Sequence, residues 1–204
     1  MFTGIVATTG QIESVEPIGN DQASGVRLLI NAGDLGLTDV GLGDSIAIQG
    51  ACMTVTSMPD SQHFTVDVSR ESLNKTVGLD KPGPVNLEKS LRIGDQIGGH
   101  LVSGHVDGLG KVTRFVAVGE SWELVVLAPK ELGMYLAYKG SITINGVSLT
   151  VNRVVDTEEG TEFSINLIPH TVEVTTLKHL KVNDAVNLEV DTIARYVQRM
   201  MAFK

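Results

Sequence analysis

SIAIQGACMTV, residues 45 to 55, returns as SITINGVSLTV at residues 141 to 151, with six of eleven positions identical and no gap. The register extends outward in both directions. MFTGIV (1–6) matches LVSGHV (101–106), Gly10 matches Gly110, and Leu35-Gly36 matches Leu132-Gly133. FTVDVSRESLNKT (64–76) matches FSINLIPHTVEVT (163–175), and VNLE occurs at both 85–88 and 186–189. A repeat this long, present only twice, describes two similar domains with a seam near residues 96 to 100. It does not describe a solenoid of short units.

Inside each copy the pattern has period two. Phe64, Val66 and Val68 alternate with Thr65, Asp67 and Ser69, and Phe163, Ile165 and Leu167 alternate with Ser164, Asn166 and Ile168. RLLI, ELVVL and SITI behave as further strands, separated by glycines and by GD, ND or PG dipeptides. About six short strands per half predict a small antiparallel barrel in each, because closure removes exposed sheet edges. Residues 57–63 and 156–162 read as loops. The last stretch, DTIARYVQRMMAFK, differs: Ile193, Ala194, Val197, Met200 and Met201 recur at helical spacing, with Asp191 or Thr192 as the N-cap. Its apolar stripe either packs on its own barrel or meets another subunit.

The totals exclude several function classes. With 42% hydrophobic residues in 204, the chain can bury a substantial core. Sixteen basic against twenty-four acidic residues give a formal charge of -8, with no basic cluster to follow a phosphate backbone, so no nucleic-acid partner is expected. MFTGIVATTG lacks the basic start and long apolar run of a signal peptide, and no run approaches membrane-spanning length, so a cytoplasmic location and no membrane partner are expected. The single cysteine and the absence of zinc-type Cys/His spacing fit a reducing compartment without a structural metal.

That cysteine sits in the repeated strand. If Met53 and Val55 face the first core, as Leu149 and Val151 face the second, then Cys52, Thr54, Ser148 and Thr150 point outward and form a polar face for a ligand. Cys52 is open to two readings: a small buried hydrophobe, or a nucleophile able to add to an electron-poor carbon. IGGHLVSGHVDG (97–108) adds His100 and His105. Five residues apart, they would lie on opposite faces of a continuous strand, which is poor metal geometry. Histidine is suited to moving protons at neutral pH, and the flanking glycines admit close backbone approach to a flat ligand.

In order, MFTGIV, GACMTVT, IGGHLVSGHVDG, NGVSLTV and LIPHTVEVTTL resemble the alpha-chain type of riboflavin synthase across both halves and the tail. The resemblance implies an all-β fold of two tandem six-stranded antiparallel Greek-key barrels, residues 1–96 and 97–190, and a C-terminal α-helix, 191–204, that assembles a homotrimer. It implies dismutation of two 6,7-dimethyl-8-ribityllumazine molecules by transfer of a four-carbon unit, giving riboflavin and 5-amino-6-ribitylamino-pyrimidinedione. No metal, nucleotide or redox cofactor is implied.

By the same resemblance, the active site pairs the N-barrel of one subunit with the C-barrel of another. The N-barrel set is Gly4, Ile5, Val6, Cys52, Met53, Thr54, Asp67, Val68, Ser69, Arg70, Glu71 and Ser72. The C-barrel set is Gly104, His105, Val106, Ser148, Leu149, Thr150, Asn166, Leu167, Ile168, Pro169, His170 and Thr171, with Lys139 reaching across the interface. The halves differ where Cys52 faces Ser148, Ile5 faces His105 and Glu71 faces His170. Catalytic roles are expected for His105, in removing the 7-methyl proton, and for Ser148 or Cys52, in addition to the ring. Asn145 stands where some relatives carry Asp; Asn cannot act as a base, and a turn role for Asn-Gly is expected. The alternative is a non-catalytic lumazine- or flavin-binding protein on the same fold. A flavin-dependent oxidoreductase would be expected to carry a Gly-rich βαβ fingerprint, which is absent from the sequence.

Overall fold

Alternating burial closes each half into a barrel. The computed structural model describes residues 1–21 and 23–203. In the first half, β1 (Thr8–Pro17), β2 (Val26–Asn31), β3 (Ser45–Ile48), β4 (Ala51–Ser57), β5 (His63–Val68) and β6 (Gly83–Lys89) close in the order β1-β2-β5-β4-β3-β6. The second uses β7 (Gly108–Val118), β8 (Ser121–Ala128), β9 (Ser141–Ile144), β10 (Val147–Asp156), β11 (Thr161–Leu167) and β12 (Ala185–Val190), in the order β10-β11-β8-β7-β12-β9. With each strand matched to its repeat partner, the two cyclic orders are the same, and the jump from β2 to β5 is a Greek-key connection.

The period-two residues fill the barrels. Ile12, Leu28, Ile30, Phe64, Val66 and Leu87 are buried in the first core, and Val112, Leu124, Val126, Phe163, Ile165 and Leu188 in the second. Closing so small a barrel requires sharp bends, which bulges in the long strands supply. Register shifts occur at Ile12/Ser14 and Val55/Ser57 in the first barrel, and at Val112/Arg114 and Val151/Arg153 in the second. The expected loops at 57–63 and 156–162 are shorter than that reading, because Ser57, His63, Asp156 and Thr161–Glu162 belong to strands. The second hairpin pairs out to Asp156 and Thr161, whereas in the first His63 pairs with Asn31 of β2.

The β3–β4 and β9–β10 hairpins turn on Gln49-Gly50 and Asn145-Gly146, all four with positive φ, as a two-residue hairpin turn requires. These turns also hold the barrels together. Gln49 Oε1 accepts from the Asn86 amide (3.0 Å), and Asn145 Oδ1 from the Asn187 amide (2.8 Å). Across the junction Asn86 Nδ2 donates to the Asn145 carbonyl and Asn187 Nδ2 to the Gln49 carbonyl, both at 2.9 Å. Asn145 is therefore a turn residue, as expected, and also a buried tie between the halves.

The segments before each barrel cross over. Phe2 and Val102 form an isolated antiparallel bridge, with N–H donors on both sides (2.8 and 3.0 Å), and are buried with Ala47 in a small third core. Among the described residues the α-helices are α1 (Arg70–Lys75), α2 (Pro169–Val174) and α3 (Thr192–Met201), beside three short 3-10 turns. Asp191 caps α3 by accepting from the Ile193 amide, and Arg195 anchors its first turn on Asp107 at 2.7 Å.

Candidate active site

Cys52 and Ser148 face away from the two barrel cores, as the alternation predicts, and Cys52 packs against the small third core. Met53 and Val55 are buried and Thr54 and Thr150 exposed, while Leu149 is half-buried against the second core. What covers the two polar residues is the crossed segments. The Gly4 carbonyl accepts from the Ser148 amide (2.7 Å), and the Gly104 carbonyl from the Cys52 amide (2.8 Å). Both glycines have positive φ, and a Cβ on either would lie 2.7 Å from the Cβ of its partner. Glycine is needed here for conformation and for space.

This pairing corrects the expected grouping. Gly4 and Val6 belong with Ser148 and the second barrel, and Gly104, His105 and Val106 with Cys52 and the first. Equivalent residues in the repeat are therefore exchanged between barrels. Each half-site draws on both halves of the chain.

The half-site at Cys52 is an open cavity of ≈ 290 Å³ lined by Cys52, Met53, Glu71, Ser72, Gly104, His105 and Val106, with Lys75 and Thr76. The last two were missing from the expected set. Their signal was position: Ser69 N-caps α1 through the Ser72 amide (3.1 Å), and the helix carries its next turn to the cavity. Other expected residues of this set lie at the end of β5 and in α1. Asp67 pairs with Arg27 at 2.7 Å, Val68 is core, and Arg70 Nη2 donates to the Ser24 carbonyl at 2.8 Å.

At the other half-site, His100 Nδ1 lies 2.7 Å from Ser148 Oγ. His100 is not in the expected site set, which of the two histidines takes only His105; a continuous strand would put them on opposite faces. Residues 97–107 are not such a strand: apart from the bridge at Val102 they are irregular. A Cβ on Gly99 would collide with the Thr3 carbonyl and lie 2.8 Å from Ser148 Oγ, so Gly98-Gly99 lets the chain fold His100 back over Ser148. Burial pushes the His100 imidazole below its ordinary pKa, with the Asp191 charge opposing. Its Nε2 is buried with no hydrogen-bond partner among the described residues.

The expected segment from Asn166 to Thr171 forms the end of β11 and the start of α2. Asn166 accepts from Ser121 Oγ (2.9 Å), Leu167 is core, Ile168 is an exposed N-cap position, and Pro169 and His170 open the helix on the surface. Thr171 is half-buried, and its carbonyl accepts from Thr175 Oγ1. Ile5 is 51% exposed beside Gly98. Lys139 is exposed at φ 64°, its Nζ donating to Asn152 Oδ1 at 2.9 Å. No group of three or more His, Cys, Asp or Glu suited to a metal occurs among the described residues.

Chemically, a neutral His100 can take the Ser148 proton, and a low imidazole pKa keeps it neutral to lower pH. The acid limb of the activity profile is therefore expected below the ordinary histidine value of about 6.5. His100→Gln is expected to abolish that limb, which a pH series of initial rates would check. A limb that stays in place would assign it to another group.

Known proteins share this architecture along nearly its whole length. The lumazine binding domain family matches residues 3–90 and again 103–191. The chain is 43% identical over 205 residues to the riboflavin synthase of Mycobacterium bovis, covering 98% of each. It is 40% identical over 203 residues to that of Photobacterium phosphoreum, covering 98% of this chain and 89% of the relative. Among solved structures, LumP complexed with riboflavin superposes with a TM-score of 0.78 at 26% identity, covering 93% of this chain and 99% of the other. With two barrels of one topology, the family model matched on each and relatives matched over nearly the whole chain, the chain belongs to the riboflavin synthase family of duplicated lumazine-binding proteins.

Proposed function

We infer that the protein is a riboflavin synthase that converts two 6,7-dimethyl-8-ribityllumazine molecules to riboflavin and 5-amino-6-ribitylamino-pyrimidinedione. The observation that carries this reading is the pair of similar but unequal half-sites, one at Cys52 and one at Ser148. Two copies of one substrate playing different parts need such a pair. The products together contain the atoms of two substrates, so the transfer of four carbons balances without an external oxidant or reductant. Holding the two rings in register can supply roughly 7 to 11 kcal/mol of the barrier. We assign Ser148, with His100, to addition at the ring of one lumazine, and His105, beside Cys52, to proton removal at the 7-methyl group of the other.

The half-sites are taken to meet between subunits, the N-barrel of one chain facing the C-barrel of the next, in a homotrimer. The cavity at Cys52 is open and lies at the small end of the range for ligand pockets, which suits closure by a second surface. Ile193 and Met200 on α3 are 63% and 72% exposed, and Tyr196, Val197 and Met201 lie beside them. No described helix is long and apolar enough to cross a membrane. We read α3 as the trimer contact, the units as 1–96, 97–190 and 191–204, and the location as cytoplasmic. Val197→Glu is expected to shift the sedimenting species to monomer and to abolish most turnover while leaving the barrels folded. A trimer that survives it would remove α3 from the interface.

The direct test is incubation of the purified protein with 6,7-dimethyl-8-ribityllumazine alone, followed by chromatography. Riboflavin formation supports the synthase, whereas tight binding without product would make this a lumazine-binding protein.

A further inference from the structure

Two buried carboxylates lie beneath the crossed segments and take no part in the chemistry assigned above. Glu88, on β6 of the first barrel, is 8% exposed, and Glu189, on β12 of the second, is 2% exposed. Neither is ion-paired among the described residues. Burying an unpaired carboxylate is expensive unless donors replace its water. Here they do. Glu88 accepts from the Thr3 amide (2.7 Å), Thr3 Oγ1 (2.8 Å) and the Gly4 amide (3.0 Å). Glu189 accepts from the Ser103 amide (2.7 Å), Ser103 Oγ (2.6 Å) and the Gly104 amide (2.9 Å).

The connection continues past the glycines. Gly4, held by the first barrel's Glu88, accepts from Ser148 of the second, and Gly104, held by the second barrel's Glu189, accepts from Cys52 of the first. We propose that Glu88 and Glu189 are positioning residues that act crosswise, the carboxylate of each barrel setting the half-site of the other. One carboxylate oxygen takes two donors and the other takes the glycine amide, so both ends of each carboxylate must accept. Glutamine cannot reproduce this, since its NH₂ would face an N–H donor. Burial pushes both carboxyl groups above their ordinary pKa while the three donors pull them back. The arrangement therefore depends on those donors. The consequence is coupling: displacement of one crossed segment alters a half-site whose own barrel is untouched.

Cys52, the only cysteine, reports on its half-site without reference to catalysis. In the intact protein, Glu189→Gln is expected to speed alkylation of Cys52 by a neutral maleimide about tenfold, the scale of one broken buried hydrogen bond. Glu88→Gln should leave that rate within about twofold. In a Cys52→Ser, Ser148→Cys chain the order should reverse, with Glu88→Gln accelerating the labelling of the new thiol. Equal acceleration by both variants would mean general loosening and overturn the proposal, as would no change from Glu189→Gln. If the glutamine variants do not fold, Ser103→Ala and Thr3→Val remove one donor each with the charge in place. They should give the same crossed pattern at smaller amplitude, and its absence would also overturn the proposal. Any effect on riboflavin formation rests on the synthase reading. The labelling rates do not, so a chain that makes no riboflavin leaves them interpretable.

Discussion

His100→Ala is expected to lower kcat by about a hundredfold or more, the usual contribution of a positioned proton acceptor. The imidazole lies 2.7 Å from Ser148 Oγ, and a serine hydroxyl adds to a ring only if its proton is taken. Ser148→Ala should fall by a similar factor, and the double variant by little more than either single one, because the two side chains act as a unit. KM should change far less than kcat, since Gly4, Thr150 and the α2 segment remain in place. Steady-state rates of the three variants decide this. Additive losses would mean that the pair is a structural contact and that His100 has no share in the proton transfer.

The other large effect is expected at the barrel junction. A Cβ on Gly50 would lie 2.6 Å from the Gly146 amide nitrogen, and Gly50 sits at φ 87°, so Gly50→Val adds both a left-handed penalty and a wedge between two backbones. Left-handed strain alone costs roughly 1 to 3 kcal/mol and overpacking a comparable amount, so a loss of about 3 kcal/mol or more is expected. Because Gln49 and Asn145 next to these glycines carry the cross-barrel hydrogen bonds, parting the turns should also misplace both crossed segments. Denaturant unfolding provides the measurement, with Gly83→Ala as its control. Gly83 begins β6 with open space where a Cβ would sit, so that change should be near neutral. A Gly50→Val chain as stable as the control would show that the barrels do not depend on this contact.

Much of the molecule was legible in one dimension. Alternation of Phe64, Val66 and Val68 against polar neighbours is a local property of extended backbone, and it predicted both the core and the outward face of Cys52. The amphipathic end of the chain and its Asp191 cap were equally local. The repeated VNLE was visible but not interpretable. Its Asn and Glu act on residues 37 to 138 positions away, and nothing in the strand pattern names such partners. His100 was hidden for a related reason: its contact with Ser148 depends on the irregular path that Gly98-Gly99 allows, whereas strand periodicity would place it on a fixed face.

By itself the sequence determined that this protein is two copies of one barrel, which faces of the strands are apolar, and which positions in the two copies correspond. It could not determine which corresponding segment lies against which barrel. Repetition records likeness between Gly4 and Gly104, and likeness is unchanged when the two exchange places. Only the tertiary structure decided that Gly4 covers Ser148 and Gly104 covers Cys52, because the Phe2–Val102 bridge sends each segment across to the other barrel before its own begins.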